Sequence, residues 1–561
     1  MAENDRTPIT RHAPAPKRPP GRALLRRWLP GQVRLWLLAL AVGIASGLAA
    51  LLFRKAITAL QWLAYGTEDM AGIHSLAATL PWYWVLMVPV LGGLAVGAIL
   101  HRFTPDARVR SVADVIEGAA LTEGRVERRA GLASAAASLI TLGSGGSSGR
   151  EGPVVHLAGV IAAWLSDRIG ADGITGRDLL GCAVAAAVSA SFNAPIAGAL
   201  FAMEVVLRHF ALHAFAPIVI ASVAGTVINR LEFGDVTEFH LPEANALQFY
   251  VELPAFLLLG LVCGLVAVVL MRAVFWTEDF AGRWQMRLRL PRWLRPAIAG
   301  ALLGAIAIGW PHIIGVGYET TSAALTGRLL LHEAIVFAIV KVAAVAITLG
   351  GRMGGGVFSP SLMVGALTGL AFGLIATGLA PEMSGSHTLY ALAGMGAVAA
   401  AVLGAPISTT LIVFELTGDW QTGLAVMIAV STSTAVGAQL VRRSFFLTQL
   451  ARRGVPVAAG PQEYLPGQFL VADLMRRPDD PRAPDEAACW RLIEKQGFYV
   501  DANATLEAAM PLFERSAQPF LPVVRLGGEG QPAELAGVLN YIDALRAYNR
   551  ALAAVSREEH G

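Results

Sequence analysis

The chain has 561 residues, of which 55% are hydrophobic and only 15% charged, with a mean hydropathy of +0.55. Soluble domains carry more charge and less apolar sequence, so this composition excludes an ordinary soluble globular protein and describes a polytopic membrane protein. The net charge of +3 gives no reason to expect a nucleic-acid partner, and the scattered Cys182, Cys263 and Cys489 indicate neither a disulfide framework nor a metal cluster.

No cleavable signal opens the chain. Residues 1–32 carry Arg11, Lys17, Arg18, Arg22, Arg26 and Arg27 between prolines and read as a basic cytoplasmic tail. Apolar runs long enough to span a bilayer occur at 35–53, 82–100, 256–270, 334–349 and 424–440. Other runs are shorter or broken by Gly and Pro, as a transport site at membrane depth requires. Ser111 opens a short helix after the basic stretch Arg108–Arg110. It is either an ordinary N-cap or a hydroxyl donor to an anion.

The stretch 143–153 (GSGGSSGREGP) lies between the apolar runs 133–142 and 154–165, hence within or at the edge of the membrane. Its glycines let backbone amides approach a ligand closely, and Pro153 suits the first turn of the helix that follows. A helix starting there offers unpaired N–H groups and the positive end of its dipole to an anion. Glu151 puts a carboxylate at that mouth, and an acid inside an apolar span is functional by default. Two blander or different readings stand beside this one. The stretch is a glycine-rich packing turn, or Gly146–Gly149 is an intramembrane serine protease loop served by His101, His156, His209 or His332. A hydrolase elbow is also spelled by G-x-S-x-G, but no strand precedes it.

The two halves repeat. Ala194-Pro195-Ile196 leading to Glu204 matches Ala405-Pro406-Ile407 leading to Glu415, proline to glutamate at one spacing, and 182–188 echoes 396–402. Gly356-Val357-Phe358-Ser359-Pro360 is a second glycine-rich start of an apolar helix, the counterpart of Gly149–Pro153. Stretch 232–243 is acidic and 283–295 strongly basic, which places the basic loop and both termini in the cytoplasm and the acidic loop outside. The repeats, about 33–232 and 249–440, then have opposite topology, and such repeats place a site where broken helices meet near the midplane. Glu204 and Glu415 are either satisfied structurally or functional acids. After Gly454 the composition turns soluble: a linker leads to a strand–helix–strand–strand–helix module, so 455–561 reads as a small α/β domain.

Over about residues 33–454 these motifs resemble the CLC family of chloride channels and chloride/proton exchangers. The resemblance rests on Gly149-Arg150-Glu151-Gly152-Pro153, Gly356–Pro360 and Asn193-Ala194-Pro195. It implies an all-α membrane fold of inverted repeats, a homodimer with one chloride pore per subunit, no enzymatic activity and no required cofactor or metal. Carried across, Glu151 is the gate, occupying an outer anion site when ionised and leaving when protonated. The amides around Gly149, Arg150 and Gly152 would line that site. The amides of Val357 and Phe358, with the Ser111 hydroxyl, would hold a central anion. Three positions depart from the family: only Ser111 is kept of its G-S-G-I-P loop, Phe446 stands in place of a pore tyrosine, and Val205 replaces the second glutamate of the exchangers. Glu204 is the neighbouring acid. The Val205 position resembles the channel branch, and the reading is a passive, chloride-selective channel in a bacterial-type inner membrane, with an exchanger using a non-standard proton route as the alternative. Residues 471–475 and 535–548 resemble a single CBS domain, which implies adenine nucleotide as a ligand.

Overall fold

The computed structural model describes residues 31–66, 72–171, 173–210, 212–234, 252–381, 386–418, 420–455, 457, 469–477, 480–481, 483–525 and 534–560. The basic tail up to residue 30, the acidic stretch beyond residue 234 and most of the linker after Val457 lie outside these described residues.

The first half runs α1 (Gly31–Tyr65), α2 (Ile73–Ala77), α3 (Trp82–Phe103), α4 (Val112–Leu121), α5 (Arg128–Gly143), α6 (Glu151–Ile169), α7 (Gly173–Phe192), α8 (Pro195–Phe201, continued by a π-helical turn Ala202–Leu207) and α9 (Leu212–Phe233). The second runs α10 (Leu253–Arg287), α11 (Arg295–Gly309), α12 (Tyr318–Leu325), α13 (Leu331–Gly350), α14 (Phe358–Leu379), α15 (His387–Leu403), α16 (Pro406–Thr417) and α17 (Trp420–Val441), with α18 (Phe445–Arg452) after it. Apart from the short α2 and single 3-10 turns, the two successions match element for element. The protein is therefore a helical membrane protein of repeated, broken helices.

Seven helices among the described residues are long and apolar enough to cross a membrane. They contain all five runs expected from the sequence and add His213–Phe233 and Phe358–Leu379. Both additions carry residues that read as breaks. Pro217 lies inside α9, and α14 contains Gly365, Gly369 and Gly373. A Cβ on Gly365 would lie 2.3 Å from Gly394 O, and one on Gly369 would lie 2.1 Å from Tyr390 O. These glycines let α14 and α15 touch backbone to backbone, the small-residue packing of membrane helices. The outer surface carries exposed Leu37, Leu52, Leu91, Leu265 and Ile339, as a lipid-facing surface should.

The repeated glutamates show how the halves lock. Glu204 accepts the N–H groups of Ile407 (2.9 Å) and Ser408 (2.8 Å), the first turn of α16. Glu415 accepts those of Ile196 (3.0 Å) and Ala197 (2.8 Å), the first turn of α8. Each carboxylate thus caps the helix start of the other repeat, where orphan amides and the helix dipole favour negative charge. Glu415→Ala removes an acceptor of two charge-assisted hydrogen bonds. It is expected to cost on the order of 2 kcal/mol, read as a lowered unfolding temperature in detergent, with Glu415→Asp recovering part of it.

The tail forms the expected small α/β unit. β1 (Val500–Asp501) pairs parallel with β2 (Phe520–Arg525), which pairs antiparallel with β3 (Glu534–Asn540). Helices Leu506–Ser516 and Tyr541–His560 follow β1 and β3. Val500, Leu506, Phe513, Leu521, Leu539 and Ala544 fill its core. A further helix, Glu486–Gln496, precedes β1, within the stretch that by composition reads as linker.

Candidate functional site

Two glycine-rich loops cross where the repeats meet. The amides of Gly149 and Gly356 each donate to the other's carbonyl at 2.7 Å. α5 and α13 end at Gly143 and Gly350, and the loops after them interlock. Gly354 N–H donates to Thr141 Oγ1 (2.9 Å), Ser148 Oγ to Gly354 O (3.1 Å) and Ser147 N–H to Thr348 Oγ1 (3.1 Å). The first turns of α6, at Glu151, and α14, at Phe358, are thereby brought to one buried point. Gly355 makes this approach with φ of +127°, and a Cβ there would lie 2.1 Å from Ser148 Oγ.

Glu151 is 2% exposed. Its Oε1 accepts the Ser359 hydroxyl from the first turn of α14, while Oε2 has no hydrogen-bond partner among the described residues. The carboxylate therefore sits between two helix starts, in surroundings that favour an anion. Beside it is a cavity lined by Ser111, Glu151, Gly152, Val357, Phe358 and Phe446, so six of the residues singled out by sequence converge on one space. Phe358 packs on Phe192 and Phe201 with ring centroids 4.7 and 5.8 Å apart, and Phe446 lies edge-on to Phe445. No hydroxyl projects from the ring of Phe446.

One expected anion contact is corrected. The amide of Gly149 is bonded to Gly356 O and is not free for a ligand. The Arg150 guanidinium donates to Ser191 O (3.0 Å) and lies over the ring of Tyr318, so the anion contact expected of this residue is through its backbone amide and not its side chain. Val205 is buried in the π-helical turn after α8, and the adjacent Glu204 points its carboxylate at α16. Ser147 Oγ makes no hydrogen bond among the described residues, so the histidine contact a serine protease needs is lacking. Sequence reading missed Gln449. It sits one helical turn after Phe446 on α18, lines the same cavity, and its buried Oε1 has no partner among the described residues. Its i, i+3 spacing from Phe446 was the available signal.

The Ser111 loop is built from charge. Ser111 N–H donates to Asp114 (2.8 Å), which also receives Arg108 (2.8 Å) and Arg453 (3.2 Å). Arg110 bonds Asp106 (2.8 Å) and Glu127 (2.9 Å). Burial alone would raise the Asp106 carboxyl, but hydrogen bonds and charge from Arg110 and Arg108 outweigh it and bring its pKa down to about 2. The stability this group contributes is complete above its unfolded pKa of about 3.9 and is lost only as pH falls through about 2. Asp106 therefore stays ionised throughout the mildly acid range.

Inverted repeats of broken helices, crossing at a buried carboxylate between two helix starts, define a membrane transport protein of the anion-handling kind. The family described as voltage gated chloride channel matches residues 92–438. A ClcB-like protein of Ralstonia nicotianae is 32% identical over 417 residues, covering 73% of this chain and 95% of that protein. The voltage-gated ClC-type chloride channel ClcB of Escherichia coli O139:H28 is 29% identical over 433 residues, covering 75% of this chain and 99% of its own. Among solved structures, a slow cyanobacterial Cl-/H+ antiporter superposes with a TM-score of 0.66 at 20% identity, covering 76% of this chain and 98% of that one. A eukaryotic CLC transporter gives 0.66 at 18% identity over 91% of this chain and 98% of its own. The chain belongs to the CLC, or voltage gated chloride channel, family.

Proposed function

We propose that the protein is a passive chloride-selective channel with one pore per subunit, gated by displacement or protonation of Glu151. The observation that carries this reading is the pairing of Val205 with Glu204. Valine cannot bind a proton, and both oxygens of Glu204 face the amides of Ile407 and Ser408. A proton crossing apolar protein needs titratable groups at intervals, because an unpartnered charge there is very costly. Exposed Ile196, Val223, Val227, Leu231 and Ile407 on α8, α9 and α16 support assembly as a homodimer. The reading includes a bacterial-type inner membrane, cytoplasmic termini, no required cofactor and no enzymatic activity. The tail is a CBS-like regulatory module for which adenine nucleotide is the ligand to test.

The test is the zero-flux voltage of proteoliposomes with chloride fixed and a pH step imposed. A tenfold proton gradient stores about 1.4 kcal/mol per proton, so obligate coupling displaces that voltage, whereas a channel stays at the chloride equilibrium value. One observation favours the exchanger instead: His156 on α6 is buried and its Nδ1 has no hydrogen-bond partner among the described residues. Uphill proton movement driven by chloride, lost in His156→Gln, would establish that alternative.

Gln449 supplies the polar contact that Phe446 cannot, its carboxamide N–H donating to an anion in the cavity. Gln449→Leu is expected to weaken chloride binding about tenfold, the worth of one charge-assisted hydrogen bond of about 1.4 kcal/mol. Isothermal titration in detergent reads it, and unchanged affinity would remove Gln449 from the site.

A further inference from the structure

A second cavity lies away from the pore, at the end of the molecule that carries the basic α10–α11 connection. It is an open cleft of about 840 Å3 between the end of α3, the loop after it, the start of α5 and Arg292, within the size range of small-molecule sites. Its charge is one-sided. His101, Arg102, Arg128, Arg129 and Arg292 line it against the single acid Glu127, and Glu127 is already held by Arg110. Arg128 is engaged by Asp167 and by Ala163 O. Among the described residues the guanidinium groups of Arg102, Arg129 and Arg292 make no hydrogen bond or ion pair, and those of Arg102 and Arg129 lie over the ring of Phe103. Like charges held together without counterions repel one another, and an anion bound in the cleft relieves that repulsion.

The surroundings choose the kind of anion. Phe103, which lines the cleft, is 45% exposed, as are Leu132 on α5 (55%) and Trp293 next to Arg292 (39%), and Arg102 and Phe103 end a helix long and apolar enough to span the membrane. A site half guanidinium and half exposed aromatic and aliphatic surface, at the level where a span ends, matches a lipid whose headgroup carries phosphate and whose chains lie along the apolar side. Guanidinium groups bind phosphate oxygens through paired N–H donors. Basic pockets between helices on the cytoplasmic side are a recurrent place for anionic headgroups. We infer that this cleft binds the phosphate headgroup of an anionic phospholipid, which sits against the loop Thr104–Ser111 that carries the pore serine. The pore reading is not needed for this site, and neither result depends on the other.

The test uses the full chain in detergent micelles, with the unfolding temperature followed as phosphatidylglycerol, phosphatidylcholine or inorganic phosphate is added. Phosphatidylglycerol is expected to stabilise the protein at concentrations at least tenfold below phosphatidylcholine. The triple variant Arg102→Gln, Arg129→Gln, Arg292→Gln should lose that preference, while Arg283→Gln, Arg287→Gln, on the same basic stretch but outside the cleft, keeps it. Equal stabilisation by the two lipids, a preference that survives the triple variant, or an equal loss in the Arg283, Arg287 control would overturn the site. Inorganic phosphate reproducing the whole effect at the same concentration would overturn the lipid assignment. Should the triple variant fold poorly, a photoreactive phosphatidylglycerol on the unaltered chain decides. Labelling within residues 101–107, 127–130 and 292 supports the site, and labelling elsewhere sinks it.

Discussion

Glu151→Gln is expected to remove most of the pH dependence of chloride flux between about pH 4.5 and 7.5, bringing the ratio of rates across that range to within about twofold of unity. The carboxylate lies between the first turns of α6 and α14, beside the cavity where chloride is proposed to bind. A unit charge about 4 Å from chloride repels it by roughly 4 kcal/mol at an effective dielectric constant of 20, enough to keep the anion out while Glu151 is ionised. Glutamine keeps the volume and an oxygen for the Ser359 hydroxyl but carries no charge at any pH, so it imitates the protonated gate. The variant should stay folded, and at neutral pH it should conduct at least as fast as the native chain at pH 4.5. Asp106 does not confuse the measurement, since its carboxyl, held near 2, remains ionised across the range. Chloride efflux from liposomes at stepped pH reads the result. A glutamine variant with the native pH response would take Glu151 out of the gate.

Gly355→Ala should abolish transport by preventing the two loops from crossing. At φ of +127° the backbone occupies a region that side chains rarely tolerate. The added Cβ would also meet Ser148 Oγ at 2.1 Å and Ser148 Cβ at 2.4 Å. Ser148 cannot give way cheaply, because its hydroxyl is bonded to Gly354 O across the same crossing. The expectation is a loss of folded protein, or a folded protein with at least a hundredfold less chloride flux. Gly378→Ala is the control: it lies on α14 with nothing within 4 Å of the new Cβ, and should match the native chain in yield and flux. Size-exclusion profiles and efflux rates measure both. Native behaviour in Gly355→Ala would show that the crossing is not as tight as its distances imply.

Several of the elements that make the site were legible without coordinates because their signal is local. The start of α6 at Glu151-Gly152-Pro153 and of α14 at Phe358-Ser359-Pro360 follows from glycine and proline at fixed offsets before an apolar run. The spans at 35–53 and 256–270 follow from hydropathy, since lipid selects composition residue by residue. The tail's order of strand and helix is likewise a matter of short-range pattern. Failures came where a residue's local meaning and its packed meaning differ. Pro217 and the glycines of α14 read as breaks, yet membrane packing keeps the helices whole.

The amino-acid sequence by itself determined which residues could carry the proposed chemistry: a carboxylate at 151, two glycine-rich loops, a repeated proline-to-glutamate spacing, and the absence of a titratable group at Val205 and of a hydroxyl at Phe446. Tertiary structure alone decided what each polar group faces. Glu204 and Glu415, alike in sequence to functional acids, cap each other's repeats. Gly149 gives its amide to Gly356, the Arg150 guanidinium donates to Ser191 O, and Gln449 lines the cavity. The reason is that a buried polar group must find a partner, and the partners of Glu204, Glu415 and Gly149 stand some two hundred residues away, placed by the crossing of the repeats.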